Sequence, residues 1–143
     1  MTTRHALHPA SYGLMRNFHD RIEATSSLDK TLIELIKTRA SQINGCAFCL
    51  DMHTKDARAH GETEQRLYTL SAWRETPFFT PREQAALALT EAVTRIADHH
   101  VPEDVYAEAA RHFEPEQLSE VIMAIIAINA WNRIAITTGM TPS

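Results

Sequence analysis

The chain contains two cysteines, three positions apart in the segment Cys46-Ala47-Phe48-Cys49. His53 follows the second cysteine by four residues, and Glu34 precedes the first by twelve, inside an apolar run of leucine and isoleucine. Two thiols can cycle between dithiol and disulfide, while a histidine and a carboxylate can move protons. These residue types and spacings therefore indicate a two-thiol couple with a proton relay.

Helix geometry predicts how these side chains are arranged. Residues three and four apart share one face of an α-helix, so Cys46, Cys49 and His53 form a single stripe if a helix begins at Cys46. A regular i,i+3 pair has Cβ atoms about 5–6 Å apart, whereas a disulfide needs about 3.5–4.5 Å. We therefore expect Cys46 at the helix start, where Gly45 frees the backbone and the helix dipole favours a thiolate.

The remaining sequence predicts the helices that position this stripe. Apolar residues recur at three- and four-residue intervals, and strand-like alternation of useful length is absent. The predicted helices cover approximately residues 9–24, 28–43, 46–60, 64–73, 81–99, 103–112 and 115–139. The predicted fold is all-α, a single-domain antiparallel helical array of about six to seven helices over residues 1–143, with its core motif at residues 28–61.

The ends of these helices carry recognisable signals. Asn44-Gly45 is typical of a left-handed helix C-terminus, and Gly61 is expected just beyond the third helix. Thr63 is a candidate N-cap, and the segment from Thr80 to Glu83 predicts a capping box. The second helix is expected to take its N-cap from Thr25-Ser26-Ser27.

The last predicted helix carries polar residues on a mostly apolar face. Its expected inward set is Leu118, Ile122, Ile125/Ile126, Asn129, Arg133 and Ile136. Trp131 is interpreted as a core or subunit-interface residue, with a place in a substrate pocket as the weaker alternative.

Composition limits the classes of function. The net charge of −4 comes without a cluster of lysine and arginine, so nucleic acid is not an expected partner. Uninterrupted apolar runs do not reach the eighteen residues of a membrane-spanning helix, so no membrane association is expected. We predict a cytoplasmic protein without cofactor or bound metal. In that compartment a CxxC pair is more often redox-active or metal-binding than a structural crosslink.

Each candidate residue also has an alternative interpretation. Glu34 could be solvated beside Lys37 or Thr38, and His53 could be an ordinary histidine at the core edge. The two cysteines and His53 could instead bind Zn²⁺. His60 is excluded as a fourth ligand, because a straight helix would place it about 21 Å from Cys46 along the axis.

Taken together, the motif resembles the AhpD-like alkylhydroperoxidase group of the carboxymuconolactone decarboxylase family. The matching elements are Glu34, eleven intervening residues and Cys46-x-x-Cys49-x-x-x-His53, framed by the run RASQINGC that ends at Cys46. The resemblance is strongest over residues 28–61. It implies an all-helical, homo-oligomeric peroxidase, a trimer or hexamer, in which the two cysteines alternate between dithiol and disulfide.

The resemblance also implies roles for the individual residues. Cys49 would be the thiolate that attacks peroxide, Cys46 the resolving thiol, and Glu34 with His53 the proton relay. A dithiol or lipoyl-bearing protein would reduce the disulfide again. The best-known members carry a histidine immediately before the second cysteine, where this chain has Phe48.

Other activities remain open from sequence. The main alternative is a general thiol–disulfide oxidoreductase or redox sensor. A decarboxylase of the same family and a Zn²⁺-binding module are weaker ones, the decarboxylase because its reaction is not expected to need a CxxC pair.

Overall fold

The computed structural model describes residues 2–143, and within that range it contains helices but no β-strand. The helices are α1 (Pro9–Thr25), α2 (Lys30–Asn44), α3 (Ala47–Ala59), α4 (Glu64–Thr69), α5 (Pro81–Thr94), α6 (Ile96–His99), α7 (Glu103–His112) and α8 (Pro115–Thr138). A 3₁₀ segment, Leu70–Glu75, follows α4. The predicted all-α class is confirmed, while the single-domain assignment stays a prediction.

Two predicted helices differ from the observed ones, and the division of one of them brings the number of α-helices within residues 2–143 to eight. The long helix expected over residues 81–99 divides at Arg95, whose backbone dihedrals (φ −100°, ψ 32°) leave the helical range and separate α5 from α6. The helix expected over residues 64–73 ends at Thr69, and the chain continues as the 3₁₀ segment. Helix ends are where sequence patterns are least informative, because apolar periodicity continues across such breaks.

The predicted caps agree with the structure except at α2. Gly45 ends that helix in the left-handed conformation at φ 68°, and Thr80 and Glu83 form a reciprocal capping box. The N-cap of α2 is Asp29, whose carboxylate accepts from the Leu32 amide at 3.0 Å. The expected cap within Thr25-Ser26-Ser27 is therefore wrong.

Helix α2 is the centre of the fold. Every residue from Leu32 to Ser41 is buried, because α3, α5 and α8 all contact this helix. Leu32 and Ile36 belong to the main apolar cluster with residues of α5, α7 and α8. Leu35 packs into a second cluster with the 3₁₀ segment and α5. A helix covered on all sides has no solvent face for its charged residues, which must then find partners.

Helix α8 packs across α2. It is long and apolar enough to span a membrane by length and composition alone. Its buried residues are Leu118, Val121, Ala124, Ile125, Ala127, Ile128, Asn132 and Ala135. Arg133 and Ile136, predicted to face inward, are exposed instead. The helix is apolar almost all round, so hydrophobic periodicity did not identify a unique inward face.

Asparagine side chains join the C-terminus of α2 to α8. The Asn44 amide donates to Asn129 Oδ1 and Asn132 Oδ1, each at 2.9 Å. Asn132, which is fully buried, donates in turn to Ser41 Oγ at 3.0 Å. Since Asn44 lies two residues before Cys46, these bonds also fix the position of the cysteine pair.

A buried ion-pair network joins α2 to α5. Glu91 accepts from Arg39 Nε at 2.9 Å and from Trp73 Nε1 at 3.1 Å, and it also pairs with Arg74. Burial alone would raise the pKa of the Glu91 carboxyl, but hydrogen bonds from Arg74 and Arg39 outweigh burial and lower it. The carboxylate is therefore ionised near neutral pH and neutralises the buried Arg39 guanidinium.

Replacing Glu91 by glutamine is expected to lower the free energy of unfolding near pH 7 by about 3 kcal/mol, because the Arg39 charge would stay buried without a counter-ion. The lowered folded-state pKa means that the wild-type stabilisation is complete above the usual carboxyl pKa of 4.5. It is lost as the pH falls through the folded-state value. The difference between wild type and variant should therefore shrink on acidification, which urea unfolding at a series of pH values will measure.

The matched control is Glu75→Gln, because Glu75 is an exposed carboxylate at the end of the 3₁₀ segment. It should change the free energy of unfolding by less than about 0.5 kcal/mol. A loss in Glu91→Gln that stays constant from neutral to acidic pH would contradict the ion-pair explanation.

Candidate redox-active site

The two cysteines lie where α3 begins, as predicted. Cys46 is the N-cap residue in extended conformation, and Cys49 occupies the first turn. Their sulfurs form a disulfide with the Cα atoms 5.3 Å apart, and the Cys49 amide also donates to Cys46 Sγ at 3.3 Å. Both residues are buried, against Ala135 of α8 and partly buried Phe48.

Glu34 and His53 form a buried pair. The sequence spacing had indicated that these two side chains could meet. The antiparallel packing of α2 and α3 brings Glu34 Oε2 to 3.0 Å from His53 Nδ1. The two residues are only 7% and 8% exposed. The alternative of a solvated Glu34 beside Lys37 or Thr38 is therefore wrong. A buried carboxylate bound to one ring nitrogen fixes the orientation of the imidazole.

A cavity of about 800 Å³ brings these residues to one surface. Glu34, Cys49 and His53 all line it, whereas Cys46, 1% exposed, does not. Most of the wall is apolar, and its larger contributors are Tyr12, Ile33, Phe48, Met52, Trp131 and Ile134. The volume lies in the range of sites for small organic molecules. Cys49 is therefore the sulfur that faces the space where a substrate could bind.

Sequence reasoning missed a second ion pair at this cavity, between a buried lysine and an exposed glutamate. Lys37, one turn after Glu34 on α2, is 6% exposed, and its ammonium lies 2.7 Å from Glu23 of α1. Burial would raise the pKa of Glu23, but the hydrogen bond and charge of Lys37 outweigh burial and lower it. Local patterns could not reveal the pair, since its members lie fourteen residues apart on different helices. The one available signal was a lysine inside an apolar run.

The same cavity wall contains an aromatic group between α1 and α8. Trp131 Nε1 donates to His19 Nδ1 at 3.3 Å, and the Tyr12 ring lies 5.9 Å from the Trp131 ring. Burial and the Lys37 ammonium lower the pKa of His19, so its imidazole is neutral near pH 7 and can accept this bond. Trp131 therefore lies on the cavity wall, and its place in a subunit interface or in a substrate pocket stays a prediction.

These polar contacts hold α1 to the rest of the molecule. No residue of α1 is buried, so this helix contributes little to the apolar core. Its attachments include the Glu23–Lys37 ion pair and the His19–Trp131 hydrogen bond. Helix α1 thus forms the most weakly attached wall of the cavity.

Donors for a metal ion are also present beside the disulfide. Glu34, His53 and the exposed Asp56 each place one ligand atom within 4.8 Å of the others. His60, the C-cap of α3, lines the cavity as well and bonds the Asp56 carbonyl at 2.8 Å. The sulfurs of Cys46 and Cys49 are bonded to each other in this state and cannot act as thiolate ligands.

Comparison with known proteins identifies the relatives of the chain. The protein YdfG of Bacillus subtilis, itself uncharacterized, is 52% identical over 114 residues, which cover 80% of this chain and 78% of YdfG. Protein ATU0492 of Agrobacterium tumefaciens, of unknown function and proposed to be the antioxidant defence protein AhpD, has a solved structure that superposes with a TM-score of 0.92. It is 39% identical, covering 95% of this chain and 92% of that one.

The fold also occurs in a protein with a different named activity. The debrominase Bmp8 superposes with a TM-score of 0.81 at 20% identity, over 91% of this chain and 69% of Bmp8. At that identity the likeness concerns the fold alone. The family model for carboxymuconolactone decarboxylases matches residues 9–92, more than half of the chain and all of the site residues on α1, α2 and α3. The chain belongs to the carboxymuconolactone decarboxylase family, in its AhpD-like group.

Proposed function

We propose that the protein is a thiol-dependent peroxidase that reduces hydroperoxides with its Cys46–Cys49 couple. One observation carries the proposal: the disulfide opens through Cys49 onto a cavity whose wall also contains the bonded Glu34–His53 pair. A redox-active sulfur, a proton carrier and room for an organic substrate therefore meet at one place. The likeness to ATU0492 supports the same chemistry.

The reaction begins with the reduced protein. The Cys49 thiolate attacks one peroxide oxygen, so that an S–O bond forms, the O–O bond breaks and an alkoxide leaves. The alkoxide takes a proton and departs as an alcohol. His53, oriented by Glu34, is positioned to deliver that proton, directly or through water. The product on the protein is a sulfenic acid at Cys49.

The second half of the cycle forms the disulfide. The Cys46 thiol attacks the Cys49 sulfenic sulfur, the S–S bond forms and the oxygen leaves as water. The 5.3 Å separation of the two Cα atoms allows this bond. A dithiol, in the proposal a small dithiol or a lipoyl group on a partner protein, returns two electrons and two protons. We place this cycle in the cytoplasm, where reducing systems can restore the thiols.

We also propose a homo-oligomer, as the family resemblance implies. Apolar residues around the cavity are unusually exposed for their size: Tyr12, Met52 and Met140 are each 40–46% exposed. A second copy of the chain over this rim would bury them and narrow the entrance. The oligomeric state measured by light scattering will test this part of the proposal.

A peroxidase assay with the two cysteine variants tests the mechanism. Cys49→Ser should abolish turnover, because it lacks the attacking thiolate. Cys46→Ser should retain one turnover and stop with one added oxygen atom on Cys49, because no thiol is left to displace it. Peroxide consumption and intact-protein mass spectrometry measure the two results.

The comparison of the two variants also tests the assigned roles. A stable oxygen adduct on Cys46 in Cys49→Ser would reverse them. The main alternative, a thiol–disulfide oxidoreductase, predicts rapid exchange with protein disulfides and a negligible peroxidase rate in the wild type. Two free thiols that persist after peroxide treatment would therefore remove the peroxidase proposal.

The proton relay has its own test in Glu34→Gln. The substitution removes the carboxylate that orients His53 and can exchange a proton with it, so the peroxidase rate should fall by about 100-fold and its pH profile should change. Glu120→Gln is the matched control, because Glu120 bonds Ser27 outside the cavity. Circular dichroism will establish that both variants are folded. Unchanged kinetics in Glu34→Gln would remove the relay while leaving the thiol chemistry in place.

A further inference from the structure

Three donors from two helices converge on one side of the cavity. Glu34 projects from α2, and His53 and Asp56 lie three residues apart on one face of α3. Their ligand atoms all lie within 4.8 Å of one another, with Glu34 and His53 buried and Asp56 exposed. We propose that these residues form a binding site for a divalent transition-metal ion, with Zn²⁺ as its representative.

The geometry suits such an ion. Metal–oxygen and metal–nitrogen bonds of about 2.0–2.2 Å place tetrahedral donors roughly 3.3–3.6 Å apart. Glu34 Oε2 and His53 Nδ1 are already 3.0 Å apart in a buried setting. Asp56 is exposed and can close the remaining gap by rotating its side chain. The arrangement therefore needs Glu34 and His53 to separate by a few tenths of an ångström and the exposed Asp56 side chain to rotate.

The charges also favour a cation. Two carboxylates and an imidazole offer the mixed oxygen and nitrogen donors that zinc-type ions accept. Within residues 2–143 the Asp56 carboxylate has no hydrogen-bond or ion-pair partner, so the Glu34–His53 hydrogen bond is the contact that the ion replaces. The nearby Lys37 ammonium pairs with Glu23 and leaves this cluster free.

The cavity gives the site an entry path. All three donors line its wall, so an ion can reach them from solvent and keep water at an open position. This site differs from one built on the two cysteines and His53, because it can form while the disulfide is intact. Reduction would add the Cys49 thiolate, one turn before His53 on the same face of α3, and should tighten binding.

A metal ion bound at this site would inhibit peroxide reduction. This inference rests on the proposed peroxidase function. A metal ion on Glu34 and His53 would occupy the groups assigned to proton transfer, and in the reduced protein it would also hold the attacking sulfur. Metal binding and peroxide reduction should therefore exclude each other. Binding itself is measurable without any assay of activity.

The test uses the oxidised, disulfide-bonded protein and Zn²⁺ alone. Competition with a chromophoric chelator should show one ion per chain, and Asp56→Asn should weaken binding by at least about tenfold. Asp51→Asn is the matched control, because Asp51 lies on the same helix, pairs with Lys55 and is absent from the cluster. It should bind as the wild type does.

Two further outcomes decide the ligand set. A Cys46→Ser, Cys49→Ser double variant should retain binding, since the proposed donors contain no sulfur. Absence of one-to-one binding in the oxidised wild type, or equal losses in Asp56→Asn and Asp51→Asn, would overturn the site. Binding that appears only after reduction, is absent in the double variant and survives Asp56→Asn would assign the ion to the thiols and overturn the site.

The same variants separate this site from the proposed function. If the protein is a peroxidase, Zn²⁺ should inhibit wild-type turnover, and Asp56→Asn should need at least about tenfold more metal for the same inhibition. If turnover is absent in every preparation, the chelator titration still reports the site. The chelator titration therefore tests the metal site, and the turnover assay tests the peroxidase function, so that the failure of either proposal can be recognised separately.

Discussion

The structure depends on the burial of three charged side chains on one central helix. Glu34, Lys37 and Arg39 are each less than 10% exposed, on a helix that is covered by its neighbours on all sides. An unpaired ion in such a place costs several kcal/mol. Each of the three has a polar partner on a different helix. Glu34 contacts His53 on α3, Lys37 pairs with Glu23 on α1, and Arg39 pairs with Glu91 on α5. The charges of α2 thereby specify which elements surround it.

The three pairs divide α2 into a chemical side and a structural side. Glu34 and Lys37 are one turn apart and both face the cavity. The side chains of Arg39 and Lys37 are separated by about 160° about the helix axis, and Arg39 binds Glu91 away from the cavity. In the proposed mechanism the Glu34–His53 pair between α2 and α3 exchanges protons, whereas the Arg39–Glu91 pair, reinforced by Arg74 and Trp73, only holds the helices together. The residues of α2 that line the cavity and the residue that forms the stabilising ion pair with α5 are therefore different ones.

Short-range sequence rules predicted the parts of the site that lie close along the chain. The stripe of Cys46, Cys49 and His53 follows from the helical period, and Gly45 marks the break that lets Cys46 act as a cap. The position of Glu34 near His53 was predicted from the short antiparallel connection between α2 and α3 and from the family resemblance. The Lys37–Glu23 pair and the wall formed by Trp131 depend on the docking of α1, which has no buried apolar residue to signal it. Contacts of that kind require the folded structure.

The placement of Phe48 shows how the site differs from the best-known peroxidases that it resembles. Those proteins carry a histidine at this position, whereas here an aromatic ring packs beside the disulfide and lines the cavity. Phe48, next to Cys49, therefore adds an apolar surface to the cavity wall and cannot donate or accept a proton. Ionisable groups of the cavity wall include Glu23, Lys37, Glu34, His53 and Asp56, which come from α1, α2 and the later turns of α3. In the two proposals, proton transfer and metal binding would compete for the same Glu34–His53 pair, because Phe48 stands where a second histidine beside the sulfur would share the task.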